Sequence, residues 1–309
     1  MRADKITAIE SVMPYFEQQF IDCHLCPRDC GVDRSTSKGY CNVTGLKVFT
    51  YFLHKGEEPV VSGTRGSGTV FFSGCAMHCV YCQNHEFSAN DIGTEYTVNE
   101  LAHLFLQLQE DGAHNINLVT PTHMLSYIIP ALYRAFSQGL DLPIVYNTSS
   151  FERADMIEKL EGIVDVYLAD YKYFNVPTAL AYSNASAYVL EINATLAEMY
   201  RQTAESEIDE DGIMIKGMIA RHLVLPTHSD ESISIVRWIK KHLPNALLSL
   251  MSQYRPYHKA DGFDTIAVPL TAAEYERVTE VAVDLEMEGW IQDEPDESLA
   301  GVHFKQKAE

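Results

Sequence analysis

Three closely spaced cysteines directly follow an apolar run in the stretch Thr69-Val70-Phe71-Phe72-Ser73-Gly74-Cys75-Ala76-Met77-His78-Cys79-Val80-Tyr81-Cys82. The apolar run is typical of a buried strand. Three thiolates in so short a loop can hold one face of a four-iron cluster and leave one iron without a protein ligand. A zinc site made of the three cysteines with His78 or His85 is the alternative, because zinc accepts mixed sulfur and nitrogen ligands.

An iron atom without a protein ligand makes a particular chemistry available. Such an iron can chelate the amino and carboxylate groups of a small molecule. An electron passed into a sulfonium bound beside it would break a carbon–sulfur bond and leave a carbon radical. The cysteine stretch therefore indicates either radical chemistry on a small sulfonium or a zinc site.

The rest of the chain repeats a strand-then-helix pattern. Amphipathic segments separate six apolar runs, which predict buried strands at residues 69–73, 115–119, 144–147, 164–170, 219–225 and 247–252. Three capping-box patterns predict helix starts: Thr97 with Glu100, Ser149 with Glu152, and Thr271 with Glu274. Because such units form parallel sheets with right-handed crossovers, we expect an α/β fold. Six units predict a partial (β/α)6 TIM-type barrel, here with an irregular N-terminal extension that carries four cysteines.

We expect three regions along the chain: a cysteine-rich metal-binding region at 1–62, a core barrel at 63–290 and a C-terminal tail at 291–309. In a barrel of parallel strands, chemistry collects beyond the carboxyl ends of the strands. That rule selects residues 74–82, 120–123, 147–149, 170–172, 226–228 and 253–255. The cysteine stretch falls directly after the first predicted strand, so the motif and its predicted position agree.

Composition excludes several classes of protein. Of the 309 residues, 46% are hydrophobic and 21% are charged, which excludes a disordered chain and a coiled coil. A formal net charge of −20 argues against a nucleic-acid partner, because phosphate binding depends on Lys and Arg. Neither an apolar signal core nor a membrane span is evident, so we expect a cytoplasmic protein without a membrane partner. In that reducing compartment, clustered cysteines indicate metal binding instead of disulfides.

The cysteine stretch also carries a resemblance. The pattern Cys75-x3-Cys79-x-Tyr81-Cys82 resembles the signature of the radical S-adenosylmethionine (SAM) superfamily. The longer string at 74–84 resembles the pyruvate formate-lyase-activating-enzyme-like branch of that superfamily more closely. The match continues at residues 56–59, 112–117, 221–226 and 250–254, and covers roughly residues 20–290.

The resemblance implies a partial (β/α)6 barrel with a [4Fe-4S] cluster on Cys75, Cys79 and Cys82. At this cluster SAM would be cleaved reductively to methionine and a 5′-deoxyadenosyl radical, which abstracts hydrogen from a substrate. Such an oxidoreductase needs a low-potential electron donor such as flavodoxin or ferredoxin. The branch contains activases that take hydrogen from a glycine of a partner protein, so a protein substrate is one expectation.

The resemblance also implies positions for the SAM contacts. Tyr81 would lie beside the adenine, and Asn147 or Thr148 near the ribose. The remaining implied contacts are Asp170 and Lys172, which form an Asp-x-Lys pattern on the SAM side, and Arg221 and Leu223 on the fifth predicted strand.

One departure from the relatives concerns the second predicted strand. Relatives end this strand with a Gly-Gly-Glu type motif that receives the amino group of SAM, whereas this chain has Val119-Thr120-Pro121-Thr122-His123. A separate hypothesis is that His54, with Glu57 and Glu58, closes the site from its N-terminal side. His123, His228, Tyr254, Arg255 and Tyr257 follow predicted strands and are further candidates for substrate contacts, although a lone histidine is more often structural.

A second set of cysteines precedes the first strand. Cys23, Cys26, Cys30 and Cys41 supply four thiolates, which can close a tetrahedral zinc site or complete an iron–sulfur cluster. The sequence leaves both open. It also leaves open a second class of function, a non-enzymatic zinc or iron–sulfur adaptor.

Overall fold

The computed structural model of the chain describes residues 2–291. The predicted tail lies outside the described residues, except for Ile291. Among residues 2–291, every helix is too short or too polar to span a bilayer.

One large, mostly parallel sheet forms the framework. Its strands are β1 (Lys47–His54), β2 (Ser67–Phe72), β3 (Thr94–Glu95), β4 (Ile116–Val119), β5 (Ile144–Thr148), β6 (Val166–Asp170), β7 (Glu207–Ile208), β8 (Met214–Leu223), β9 (Leu247–Met251) and β10 (Gly289–Ile291). The neighbours run in the order β10-β9-β8-β6-β5-β4-β2-β1-β3, and β7 pairs with β8 outside this path. From β2 to β10 along this path the pairings are parallel, whereas β1 and β3 add an antiparallel edge.

Helices connect the strands and cover the sheet. They are α1 (Arg2–Ile21), α2 (Pro59–Ser62), α3 (His85–Ser88), α4 (Val98–Glu110), α5 (Leu125–Gln138), α6 (Ala154–Ile157), α7 (Val176–Ser183), α8 (Ala187–Thr203), α9 (Ser229–His242) and α10 (Ala272–Asp284). Short 3-10 turns occur at Thr122–Met124, Glu158–Leu160 and Ala260–Gly262. The mixed α/β architecture with a mostly parallel sheet agrees with the predicted partial barrel.

Alternation along the strands separates two apolar layers. Tyr146 and Tyr167 belong to the large cluster that the helices cover. Their strand neighbours Val145, Val166 and Leu168 point the other way and form a separate buried cluster. Successive side chains of a strand point to opposite faces, so this second cluster lines the concave side of the sheet.

The six predicted strands are confirmed, at β2, β4, β5, β6, β8 and β9. The sheet also contains strands that the sequence analysis did not predict. One is β10, a further parallel strand beside β9. Another is β1, which pairs with β2. The hydrogen bonds of this hairpin therefore join the predicted cysteine-rich region, which ends at residue 62, to the predicted barrel. The division into regions at that point stays a prediction.

The N-terminal region is less irregular than predicted. Helix α1 occupies residues 2–21 and packs on α5; residues 22–46, apart from one bridge between Cys23 and Val32, and residues 55–58 lack regular elements. The helix was missed because its buried face includes the polar residues Lys5 and Gln19. The Lys5 ammonium is nearly buried and is satisfied at a distance, by the Asp165 carboxylate at 2.7 Å and the Ile163 carbonyl at 2.7 Å. Sequence periodicity does not reveal such a partner.

Two of the three predicted capping boxes are confirmed, at Thr97 with Glu100 and at Thr271 with Glu274. The third, Ser149 with Glu152, is wrong, because the helix begins at Ala154. The Glu152 carboxylate is instead used in a buried network that is described below.

Candidate functional site

The three-cysteine loop follows β2 and is fixed by backbone contacts. Gly74 has a φ of +83°, and a Cβ at this position would lie 2.6 Å from the Cys41 carbonyl oxygen. The Gly74 amide donates to the Phe87 carbonyl at 2.9 Å, and the Cys75 amide donates to the Cys41 carbonyl at 3.2 Å. Only glycine tolerates this conformation and this close approach together.

Each sulfur of the loop has a polar neighbour. The Cys79 Sγ accepts from the Ser183 hydroxyl at 3.1 Å, and the Cys75 Sγ accepts from the Met77 amide at 3.4 Å. The Cys82 Sγ lies 3.3 Å from the Ser88 hydroxyl. Hydrogen bonds to sulfur stabilise thiolate ligands and tune the potential of iron–sulfur clusters.

The environment of the loop raises the pKa of its thiols. Burial, with the nearby Cys79, raises the pKa of Cys75 to about 12 and that of Cys82 to about 11. Without a metal these two thiols therefore hold their protons at neutral pH. A metal that binds here must displace those protons, so metal binding at this loop releases acid.

A polar cluster lies on the concave side of the sheet, at the carboxyl ends of β5, β6 and β8. The Asp170 carboxylate receives the Arg221 Nε at 2.8 Å through one oxygen and the Lys172 ammonium at 2.7 Å through the other. Arg221 also donates to the Asn147 carbonyl oxygen at 2.6 Å. The parallel register makes this possible, because it places Asp170 directly beside Arg221.

Glu57 enters this cluster from the loop between β1 and α2. One of its oxygens accepts from the amides of Asn117 and Asn147, each at 3.1 Å, and the other lies 3.3 Å from the Arg221 guanidinium. The hypothesis that Glu57 closes the site from the N-terminal side therefore agrees with its position. The sequence analysis missed Asn117, because it lies inside a strand and not at its end; the available signal was an amide within an apolar run.

The cluster gathers three carboxyl groups, Glu57, Glu58 and Asp170, around Arg221 and Lys172, and the His54 ring lies 3.7 Å from Glu57. Burial favours the neutral acids, but Arg221 and Lys172 hold the pKa of Asp170 below its usual value. For Glu57 the same burial is outweighed by His54 and Arg221, which lower its pKa. At Glu58 burial is the largest effect, and together with the neighbouring Glu57 it raises the pKa of this carboxyl group.

Several buried acceptors of the cluster have no hydrogen-bond partner within the described residues. They include the Asn117 Oδ1 and the Glu58 Oε2; the Ser249 hydroxyl, which the register places beside Arg221, is close enough to the Glu58 carboxyl group to lower its pKa. Buried polar atoms are seldom left unpaired, because each costs about 1–3 kcal/mol. The concave side is therefore suited to a ligand that brings hydrogen-bond donors and positive charge.

Tyr81 packs in an aromatic cluster next to the cysteine loop. Its ring lies edge-on to Tyr254 at 5.9 Å, to Tyr182 at 6.3 Å and to Tyr173 at 6.4 Å. Tyr182 in turn lies 3.3 Å from the His228 ring nitrogen. Three residues selected from the sequence, Tyr81, Tyr254 and His228, thus lie in one connected group.

Other selected residues lie elsewhere. Thr148 faces away from Asn147 and bonds the Glu152 carboxylate, which also accepts from the Thr122 hydroxyl at 2.6 Å. Leu223 packs against the apolar core. His123 lies near the cysteine loop and not in the polar cluster. Its Nε2 is 2.7 Å from the carbonyl oxygen of Ser73, just before that loop.

The second cysteine set converges as well. Cys23, Cys26, Cys30 and Cys41 line one cavity, together with Arg28, Arg34 and His123. All seven cysteines of the chain are free thiols. Within residues 2–291, however, no three His, Cys, Asp or Glu side chains are placed as the ligands of one metal ion are placed.

Comparison with known proteins identifies the family. A model of the radical SAM superfamily matches residues 69–176. The chain is also 33% identical over 276 residues to an uncharacterized protein of Methanocaldococcus jannaschii, an alignment that covers 85% of this chain and 75% of the relative. The chain belongs to the radical SAM superfamily. This membership implies an enzyme of radical chemistry that binds a [4Fe-4S] cluster and SAM.

The structure fits these two cofactors of the superfamily. The matched segment contains the cysteine loop, whose three cysteines are buried or half-buried and close to polar donors. It also contains Asn147, Asp170 and Lys172 of the polar cluster. The unpaired acceptors beside them suit a ligand with an ammonium group, which SAM has.

The Glu152 network generates a prediction about stability. Burial raises the pKa of Glu152 from 4.5 to about 7, against the opposing hydrogen bonds from Thr122 and Thr148. Between these pH values the folded chain holds a proton that the unfolded chain has lost, so the free energy of unfolding falls as pH rises through the window. Glu152→Gln removes this titration, and we expect the difference in unfolding free energy between pH 5 and pH 8 to shrink by about 3 kcal/mol.

Urea denaturation at the two pH values measures this difference. Glu110→Gln, an exposed change on α4, serves as the matched control and should keep the wild-type dependence. An unchanged dependence in Glu152→Gln would show that Glu152 is already ionised in the folded chain at pH 5.

Proposed function

We propose that this protein is a radical SAM enzyme of the pyruvate formate-lyase-activating-enzyme-like branch. When bound, the [4Fe-4S] cluster supplies the electron that cleaves SAM to methionine and a 5′-deoxyadenosyl radical, which abstracts hydrogen from the substrate. Cys75, Cys79 and Cys82 would hold three irons of the cluster and leave the fourth for SAM.

The observation that carries the proposal is that Lys172 connects the cysteine loop with the polar cluster. Its ammonium bonds Asp170 at 2.7 Å and lies close enough to Cys82 to oppose the rise that burial causes in the pKa of that thiol. Metal-binding and polar ligand-binding groups thus adjoin each other at the carboxyl ends of the strands. This is the place where barrels of parallel strands carry out their chemistry.

Each part of the site would have its own task toward SAM. Asn147, Asp170 and Arg221 hold one another in a fixed arrangement and would orient the polar groups of SAM without moving. Tyr81 and its aromatic neighbours would pack against the adenine and exclude water from the reacting carbon. Keeping water out protects a carbon radical from side reactions.

Glu57 and Glu58 offer an answer to the missing Gly-Gly-Glu motif. The polar cluster has three carboxyl groups beside the two cations Arg221 and Lys172, and the Glu58 Oε2 is buried with no well-aligned hydrogen bond among the described residues. An ammonium group placed here would pair with the Glu58 carboxylate and offset the cost of burying its charge. We therefore propose that the amino group of SAM is received by Glu58, with Glu57 beside it, from the opposite side of the barrel to the motif of the relatives.

The resemblance to the activating enzymes supports two further proposals. The electron would come from a low-potential donor such as flavodoxin or ferredoxin. The hydrogen would be taken from a glycine in a partner protein. The free thiols throughout the chain suit a reducing, cytoplasmic location.

Reductive cleavage of SAM tests the proposed reaction. Anaerobically reconstituted protein, reduced with dithionite, is expected to convert SAM to 5′-deoxyadenosine, measured by chromatography. Cys79→Ala should reduce the conversion to background, because it removes one cluster ligand. Cys79→Ser is the matched variant of similar size, and it should also lose the conversion, since a hydroxyl is a poor ligand for iron in such clusters. Wild-type protein that has full iron occupancy but forms no 5′-deoxyadenosine would contradict the proposal.

Binding of SAM tests the role of Glu58. Glu58→Gln keeps the shape of the side chain but removes its charge, so we expect SAM to bind about tenfold more weakly, measured by anaerobic calorimetry. The control is a second ligand: 5′-methylthioadenosine, which has the adenine, ribose and sulfur but no ammonium, should bind equally to both proteins. If the variant weakens both ligands to the same extent, Glu58 does not recognise the ammonium.

A further inference from the structure

The N-terminal cysteine set has a geometry that the proposed function does not use. The bridge between Cys23 and Val32 folds residues 23–32 back on themselves, with the Gly31 amide donating to the Cys23 carbonyl at 3.0 Å. A Cβ on Gly39 would lie 3.6 Å from the Sγ atoms of both Cys30 and Cys41. The set thus turns its sulfurs toward one cavity from two successive loops.

Arg34 brings a buried positive charge to this cavity. The residue is 3% exposed, and its Nη1 donates to the Cys41 Sγ at 3.3 Å. Within residues 2–291 it forms no ion pair with a carboxylate, and its Nε has no hydrogen-bond partner. A guanidinium is always charged, and burying it without a negative partner is strongly unfavourable. An anionic group in this cavity would therefore stabilise Arg34, and a metal centre bound by thiolates is such a group.

The arrangement favours a cluster over a single zinc ion. Zinc sites of four cysteines usually combine two separate pairs, with each sulfur about 2.3 Å from the ion. Here three cysteines lie within one short loop, in the same two spacings as the loop at Cys75–Cys82 but in reverse order. A cluster spreads its four ligands over separate irons, which suits three cysteines of one loop with a fourth from the next.

The N-terminal cysteine set also contacts the three-cysteine loop at Cys75–Cys82. Arg28 lies between Cys26 and Cys30, and its guanidinium donates to the carbonyls of Ala76 at 2.9 Å and Ser183 at 3.0 Å. The hydroxyl of Ser183 is the donor to the Cys79 Sγ. Together with the bond between the Cys75 amide and the Cys41 carbonyl, these contacts join the two cysteine sets through backbone groups.

We propose that Cys23, Cys26, Cys30 and Cys41 bind a second [4Fe-4S] cluster, closed by four thiolates, and that its loop positions the three-cysteine loop. Four protein ligands leave no iron open to SAM, so this centre binds no substrate. Arg28 is the positioning residue between the two loops. The identity of this centre is independent of whether the protein cleaves SAM.

The test uses a full-length variant that lacks the other set, Cys75→Ala with Cys79→Ala and Cys82→Ala, purified anaerobically. We expect about four iron and four sulfide per chain, no zinc, and after reduction an electron paramagnetic resonance signal that SAM does not alter. About one zinc per chain without sulfide, or no metal at all in a folded variant, would overturn the proposal. A failure of the proposed function would leave this outcome unchanged, since the variant has no SAM cluster.

Wild-type protein gives a second route if the triple variant does not fold. Two clusters predict about eight iron and eight sulfide per chain, whereas a zinc site beside one cluster predicts about four of each with one zinc. Arg28→Met tests the positioning role. It should retain both clusters but weaken the change that SAM produces in the resonance signal, whereas an identical change in the variant and the wild type would overturn that role.

Discussion

The ion pair between Asp170 and Arg221 is the interaction on which the arrangement of the site depends. Their side chains are only 15% and 14% exposed, so each charge would be costly there without its partner. The parallel register of β6 and β8 places them side by side. Asn147, Lys172 and Glu57 then complete their hydrogen bonds. Because these groups fix one another, the concave side of the sheet presents preorganised polar groups and needs no rearrangement to receive a ligand.

The three-cysteine loop adjoins this polar cluster at the carboxyl ends of the strands. It begins where β2 ends, and its backbone is tied to the N-terminal region at Cys41 and to α7 through the carbonyl of Tyr182. Three distant parts of the chain therefore determine where the three sulfurs lie. Lys172, which pairs with Asp170, lies on the side of the polar cluster that adjoins these sulfurs. A centre that transfers an electron into a bound sulfonium needs this fixed relation between metal and ligand, because misplacement by a small distance lowers the rate steeply.

Much of the fold could be predicted from the sequence, since the apolar runs of β2, β4, β5, β6, β8 and β9 are local signals. The rest depended on contacts between distant residues. Helix α1 buries Lys5, which is only acceptable because Asp165 lies opposite. At the site, Asp170, Lys172, Arg221 and Asn147 were selected from the resemblance, and the structure brings these four side chains together. Asn117 and Ser183 were not selected, because their roles come from side chains that approach from other strands and helices. Thr148 was chosen together with Asn147, yet a strand turns adjacent residues to opposite faces.

The central claim is that Cys75, Cys79 and Cys82 hold a cluster with one iron open to SAM. The most direct measurement is electron–nuclear double resonance on the reduced protein, with SAM labelled at its amino nitrogen and at its carboxylate. Spectra of the wild-type protein with and without SAM distinguish this cluster, because the centre proposed at the N-terminal cysteines has no iron open to SAM. The account predicts that both labels couple magnetically to one cluster. A cluster spectrum that shows no coupling to either label at saturating SAM would contradict it.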